Sequence, residues 1–80
     1  MTVGEAVQKR IVQLCQERDI SINKLSSISG VTQSTVNNIV NGRNNSTTIA
    51  TIKKLCDGLG ITIDTFFHSD VFSSLEQELK

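Results

Sequence analysis

A run of polar side chains between residues 33 and 41 is the part of this sequence best suited to hydrogen-bond chemistry. Thr32 can cap a helix that starts here, because its hydroxyl can accept a backbone N–H two or three residues on. Asparagine is a poor helix former, so three in one short helix indicate a purpose other than local stability. Amide side chains hydrogen-bond base edges, above all adenine in the major groove of DNA. Helical spacing places Val36, Ile39 and Val40 on one face and Gln33, Ser34, Asn37, Asn38 and Asn41 on the other.

The charges are unevenly distributed, although the formal net charge is zero. Residues 1–54 carry seven Lys or Arg and three Asp or Glu, a balance of +4, whereas residues 55–80 carry one and five, a balance of −4. The basic part coincides with the polar helix, and such asymmetry is one sequence signal for a nucleic-acid surface. Because an ordinary mixed surface would also account for so few charges, the asymmetry alone is weak evidence.

Composition predicts one small all-α domain spanning residues 1–80. The chain is 38% hydrophobic, has no proline and contains no low-complexity tract, which favours a folded protein over a disordered one. Neither a membrane span nor a signal peptide is apparent, so we expect a cytoplasmic protein without a membrane partner. Cys15 and Cys56 fall in apolar stripes and lack a nearby His pair, so we interpret them as core residues and expect no metal and no cofactor.

Hydrophobic periodicity and capping residues predict five helices and a sixth in the tail. The first runs from about Val3 to Arg18, and its buried stripe is Val7, Ile11, Leu14 and Cys15. The second, capped by Ser21 and ended by Gly30, should bury Ile22 or Leu25 together with Ile28. The third extends from its Thr32 cap to Gly42, and the short connection predicts a helix-turn-helix unit at about residues 21–41. Thr48 caps the fourth helix, which ends at Gly60 and has the apolar stripe Ile49, Ile52, Leu55, Cys56 and Leu59. Thr62 caps the fifth helix, and Ile61 and Phe66 can form a hydrophobic staple across that cap. A sixth helix is predicted at about residues 70–79, with a capping box from Ser73 to Glu76.

With these residues in place, the sequence resembles the phage repressor and Cro family, the Xre-like group of helix-turn-helix proteins. The similarity covers roughly residues 5–68. It implies a five-helix repressor-like DNA-binding domain that binds double-stranded DNA as a homodimer, with no small-molecule ligand. It rests on Leu25, Gly30, Val31, Val36 and Ile39, on the Asn41-Gly42-Arg43 segment, and on the run from Leu59 to Phe67.

The sequence departs from the family pattern in three respects. Ile22 stands where the family often has a phosphate-contacting Gln, so Ser21 or Asn23 must supply that contact or it is lost. An Arg–Glu pair that commonly joins the first helix to the end of the third is replaced by Cys15 and Val40, an exchange that costs little when both partners change together. Thr47 replaces a common proline, so the loop before the fourth helix is expected to be less rigid.

The resemblance, together with helix phase, implies a role for each polar residue. Base edges are contacted from the first turns of the recognition helix, and phosphate contacts set its register. A solvated helix face followed by a polar loop would be the structural alternative. The expected base contacts are Gln33, Ser34, Asn37 and Asn38, and the expected phosphate contacts are Ser21, Asn23, Thr32, Asn41, Arg43 and Asn44.

Catalysis has little support in the sequence. Asp64 and His68 could share one helix face, but such a pair at a helix end is ordinary surface chemistry, and no phosphate loop or activated nucleophile accompanies it. We therefore expect a non-enzyme. Two functions remain: a DNA-binding transcriptional regulator, in particular a repressor, or a protein-interaction module on the same fold, such as a component of a toxin–antitoxin or phage-control system.

The tail carries more apolar surface than the end of a small monomer readily buries. We expect it to dimerise through Phe66, Phe67, Phe72, Leu75 and Leu79, because two-fold operators require two recognition helices. The alternative is that the tail folds back onto the first and fifth helices of its own chain.

Overall fold

The computed structural model describes residues 1–43 and 46–78. Within these residues the fold is entirely helical: α1 is Val3–Arg18, α2 Ile22–Ser29, α3 Gln33–Val40, α4 Ile49–Leu59 and α5 Ile63–Phe67. One 3-10 turn follows at Asp70–Phe72. The prediction of an all-α fold with five helices is confirmed. None of the described helices is long and apolar enough to cross a membrane.

A hydroxyl caps the start of every α-helix. Each capping side chain accepts the backbone N–H three residues further on, which satisfies one of the donors that a helix leaves free at its N-terminus. The four caps expected from the sequence are confirmed. The structure adds a fifth at Thr2, whose backbone N–H also donates to the Glu5 carboxylate and lowers the pKa of that group. The caps are Thr2, Ser21, Thr32, Thr48 and Thr62.

One kind of turn ends both α1 and α4. After α1, Asp19 adopts a left-handed conformation (φ +53°) and the Ile20 N–H donates to Cys15 O at 3.0 Å. After α4, Gly60 adopts the same conformation (φ +71°) and the Ile61 N–H donates to Cys56 O at 3.0 Å. Both turns are Schellman motifs, in which the left-handed residue lets the chain reverse and cap the helix. Residues 14–23 and 55–64 therefore share this turn and a sequence pattern. In both segments Leu-Cys is followed, after four residues, by Ile, then Ser or Thr, then Ile.

A single hydrophobic cluster draws residues from all five α-helices. The predicted stripe of α1 is buried, as are Leu25, Val36 and Ile39 of the two following helices. Two predictions of burial are wrong, because Ile28 is 38% exposed and Ile49 is 59% exposed. The backbone of α2 at Ile28 and Ser29 packs directly against Gly58 of α4, and the Ile28 side chain lies at the edge of this helix contact. Ile49 begins α4 and lies with Val3 at a shallow apolar cavity of about 210 Å³.

The tail does not form the predicted helix at residues 70–79. Beyond the turn at Asp70–Phe72, the described tail residues have no helical structure. Residues 74–76 instead pair with the N-terminus: Met1 N donates to Ser74 O at 3.2 Å and the Glu76 N–H donates to Met1 O at 2.9 Å. An isolated helix of two or three turns is marginal, so these nonlocal bonds replace the capping box expected from Ser73 to Glu76.

Candidate nucleic-acid interface

A three-residue turn joins α2 to α3 and sets their relative orientation. Gly30 adopts φ +70°, which a residue with a β-carbon rarely does. The Ser26 hydroxyl of α2 donates to Val31 O in the turn, and the Val31 side chain is buried. Thr32 then accepts the Thr35 N–H and begins α3. The turn is thus held from both sides, and the helix-turn-helix unit predicted at about residues 21–41 is present.

The polar face of α3 is available to a partner. Gln33 and Ser34 in its first turn are exposed, and Asn37 and Asn38 one turn further on are partly exposed. None of these four side chains hydrogen-bonds to another described residue. Their donors and acceptors therefore face solvent, and the structure brings all four predicted base-contacting residues onto one helix surface.

The residues expected to contact phosphate differ in their availability. Ser21, Asn23, Asn41 and Arg43 are exposed. The Thr32 hydroxyl, by contrast, is engaged in both directions, since it accepts the Thr35 N–H and donates to Thr35 Oγ1 at 2.8 Å. The prediction for Asn44 lies outside the described residues.

A turn and the side chain of Gln8, which was not among the predicted site residues, bind the carbonyl groups at the end of α3. Gly42 has φ +75°, its N–H donates to Ile39 O at 3.2 Å, and the Arg43 N–H donates to Asn38 O at 2.9 Å. The Gln8 side chain of α1 donates from Nε2 to Val40 O at 2.6 Å. A polar residue directly beside the buried stripe of α1 is the sequence signal that could have identified Gln8.

Of the seven basic side chains in residues 1–54, three are buried, hydrogen-bonded or ion-paired in the structure. Among the basic residues of the first 54 positions, Arg10 is buried and bonded to α5, and Arg18 donates to Leu59 O at 3.2 Å. Lys53 pairs with Asp57. Lys9, Lys24, Arg43 and Lys54 are exposed and form no ion pair with a described residue. The helix α3 itself carries no charged side chain.

The remaining titratable and nucleophilic groups of the described residues do not gather into a cluster. Asp64 and His68 are exposed and form neither an ion pair nor a hydrogen bond between their side chains in the described structure. A polar groove of about 610 Å³ lies between α1 and the segment after α5, and Arg10, Gln13, Glu17 and His68 help to line it. The described residues contain no group of three or more metal-ligating side chains. Cys15 and Cys56 are both buried free thiols, and burial raises the pKa of each.

The residues proposed for dimerisation lie largely against their own chain. Phe66 is fully buried, so it offers no surface to a second copy in this structure. Phe72 packs against it, with ring centroids 6.2 Å apart, and against Phe67 at 4.9 Å. The tail thus covers α1 and α5, which was the alternative expectation. Leu75 is 39% exposed, and Leu79 lies outside the described residues.

Five capped helices around one core, with a turn-linked pair that exposes the amide face of its second helix, define the class of helix-turn-helix DNA-binding domains. Residues 10–68 match the sequence model of the Cro/C1-type HTH DNA-binding domain, and the chain belongs to this family. Its fold is similar to the crystal structure of the prophage Lp1 protein 11, with a TM-score of 0.80 and 35% sequence identity. That alignment covers 94% of this chain and 99% of the other. A comparison with curated proteins finds no match.

Proposed function

We propose that this protein is a sequence-specific transcriptional repressor that contacts the major groove of DNA with α3. The observation that carries the proposal is the polar face of Gln33, Ser34, Asn37 and Asn38 on the second helix of a helix-turn-helix. These side chains are exposed or partly exposed and form no hydrogen bond to another described residue. A recognition helix of this kind contacts base edges with its N-terminal residues. Amide groups suit adenine, and hydroxyl groups suit several bases.

The phosphate contacts in this proposal come from both sides of α3. Ser21 and Asn23 lie at the start of α2, where free backbone N–H groups also favour an anion. Arg43 follows α3, and the bond from its N–H to Asn38 O ties its backbone to the recognition helix. Contacts on both sides would fix the register of α3 in the groove.

The proposal includes a homodimer on a near-palindromic site. Two recognition helices must lie about one DNA turn apart, ~34 Å, to occupy both half-sites. Because Phe66 is buried and the tail is folded onto its own chain, a dimer would use the exposed parts of the tail, such as Leu75. The described part of the tail after Phe72 is not helical, so this contact would not be a pairing of two helices.

One observation favours the second candidate, a protein-interaction module on the same fold. The helix α3 is uncharged, and only four basic residues of the first 54 positions are exposed with neither an ion pair nor a side-chain hydrogen bond to another described residue. Electrostatic attraction to DNA would then be weak, whereas a protein partner would need no such charge. The two candidates differ in one measurable property, affinity for duplex DNA.

The decisive experiment is a titration of random-sequence duplex at low ionic strength, followed by the same titration at increasing salt. We expect binding that weakens with salt, with about −0.9 in the slope of log K against log salt for each neutralised phosphate. Because few cations are free, the slope should be modest. Absence of binding at the lowest salt would reject DNA binding and favour the interaction module.

A second experiment addresses sequence preference and the direction of regulation. Sites selected from random duplexes would be placed over a reporter promoter in cells that express the protein. We expect a near-palindromic site and lower expression of the reporter. Higher expression would identify an activator, and recovery of no common sequence would contradict sequence-specific binding.

A further inference from the structure

Among the described residues, the turn that ends α3 satisfies three of the last four carbonyl groups of the helix and leaves one. The last four carbonyl groups of a helix have no partner within the helix. At the end of α3, the carbonyl oxygens of residues 37, 38 and 39 accept the backbone N–H groups of residues 41, 43 and 42 respectively. The remaining acceptor, Val40 O, accepts Gln8 Nε2 of α1 at 2.6 Å.

This bond joins two helices that have no ionic connection. The helix α3 contains no charged residue, so α1 cannot form an ion pair with it. The Gln8 bond is partly buried, where a hydrogen bond is less exposed to competition from water than it is at the surface.

The Gln8 amide also lies beside the turn that carries Arg43. A β-carbon built on Gly42 would lie 3.6 Å from Gln8 Oε1, so the amide that bonds to Val40 O also lies next to Gly42. Movement of the α3 end away from α1 would therefore shift the Gly42–Arg43 segment as well.

We infer that Gln8 is a positioning residue for DNA recognition: it fixes the end of α3 and the Arg43 turn against α1 without contacting DNA itself. The inference rests on the proposed function. Loss of the bond frees the end of α3 to adopt several orientations, and only some of them place the amide face and Arg43 on the same groove. Specific binding depends on both contacts at once, whereas nonspecific binding tolerates a range of orientations.

The test compares Gln8→Met with wild type and with Gln16→Met. Methionine has nearly the same length as glutamine but cannot donate to Val40 O, and the exposed Gln16 provides the same exchange on the same helix without a bonded side chain. Affinities for a selected site and for random duplex would be measured well below the melting temperature. The net free energy of one protein hydrogen bond corresponds to a change of about three- to tenfold in a binding constant. We expect the ratio of selected-site to random-duplex affinity to fall by that factor in Gln8→Met and to stay unchanged in Gln16→Met.

Amide hydrogen exchange at Gly42 and Arg43 gives a readout that does not involve DNA. Both N–H groups are bonded within the turn, and we expect their exchange to accelerate in Gln8→Met while core amides of α4 keep their protection. If wild type binds selected DNA and Gln8→Met keeps the same affinity ratio, the inference is overturned and the proposed function stands. Uniformly faster exchange would also overturn it, since that result means a general loss of stability. If wild type binds no duplex, the proposed function fails, and the role of Gln8 in recognition fails with it.

Discussion

Arg10 of α1 donates from Nε to the Phe66 carbonyl oxygen at the end of α5, over 2.6 Å. Its other nitrogens donate to Thr65 O at 2.9 Å and to Gln13 Oε1 at 2.6 Å. The Arg10 side chain is 7% exposed, and no carboxylate of a described residue pairs with it. Carbonyl groups at a helix C-terminus carry partial negative charge, so α5 itself supplies the compensation that a buried cation needs. The basic residue thus joins the first helix to the last.

We predict that Arg10→Met destabilises the protein by about 2–3 kcal/mol, because the buried Phe66 carbonyl group and the partly buried Thr65 carbonyl group lose a charged donor. Urea unfolding followed by circular dichroism measures the change. Lys9→Met is the control, since the neighbouring Lys9 is exposed, and we expect it to shift the free energy of unfolding by less than about 0.5 kcal/mol. Equal effects from the two variants would show that Arg10 contributes no more than a surface residue.

Gln33 and Arg43 should give different binding defects. Gln33→Ala removes a predicted base contact and should weaken binding to a selected site by ~1–3 kcal/mol, with a relaxed preference at one base pair of each half-site. Arg43→Ala removes a predicted phosphate contact and should weaken binding to all sequences alike, with a flatter salt slope. Titrations of both variants on selected and random duplexes distinguish these patterns. Interchanged patterns would mean that α3 is oriented differently in the groove.

Gly58 allows α2 and α4 to approach each other at backbone distance. A β-carbon at this position would lie 2.7 Å from Ser29 Cα and 2.9 Å from the Ile28 carbonyl carbon. Gly→Ala in an unobstructed helix is stabilising by about 1 kcal/mol. Here we predict that Gly58→Ala is destabilising by about 1–3 kcal/mol, because the two helices must separate.

The sign of the Gly58 effect is the informative result, and thermal unfolding is sufficient to measure it. Lys54→Ala, at an exposed position of the same helix, should change the melting temperature little. A higher melting temperature for Gly58→Ala would contradict the close approach of α2 and α4.

Asp19 has a left-handed backbone that costs an L-residue energy, and its carboxylate lies at the negative end of α1. We predict that Asp19→Gly raises the free energy of unfolding by about 0.5–1 kcal/mol. Asp19→Ala, which loses the charge but keeps the β-carbon, separates the two causes and should gain less. Denaturant unfolding of the three proteins measures both steps. The backbone argument is wrong if the alanine variant is as stable as the glycine variant.

Burial should protect the two thiols from reaction. Desolvation raises the pKa of Cys15 and Cys56 above the ordinary value of 9.0, and Asp57 adds to the effect at Cys56. At pH 8 we expect slow reaction with a thiol reagent in the native protein and fast reaction of both thiols in urea. Native thiols that react as fast as unfolded ones would contradict their burial.

The same shift predicts a pH dependence of stability at alkaline pH. Between the ordinary pKa and the raised one, the folded state keeps protons that the unfolded state releases. Stability is therefore independent of these thiols below pH 9.0 and falls as the pH rises through the raised pKa. Unfolding of wild type and of the Cys15→Ala/Cys56→Ala variant across that range should show the smaller fall in the variant.

Local features of the sequence were sufficient to predict the five α-helices. Ser21, Thr32, Thr48 and Thr62 begin helices because a hydroxyl satisfies a free backbone donor three residues away, and this interaction needs no other part of the chain. Gly30 and Gly60 end helices because their left-handed conformation is a property of the residue itself. The amide face of α3 follows from helical periodicity alone, so its exposure could be predicted before the fold was known.

Tertiary packing decided the features that depend on distant parts of the chain. Periodicity placed Ile49 in a buried stripe, but burial requires a neighbour, and no described residue covers this side chain at the start of α4. Charge counting assigned Arg10 to a basic surface, although the end of α5 holds it in the interior. The tail has a helical pattern, yet the N-terminal residues and the phenylalanine cluster offer it bonds that a short helix cannot match. Gln8 resembles any other polar helix residue until α3 places Val40 O within its reach.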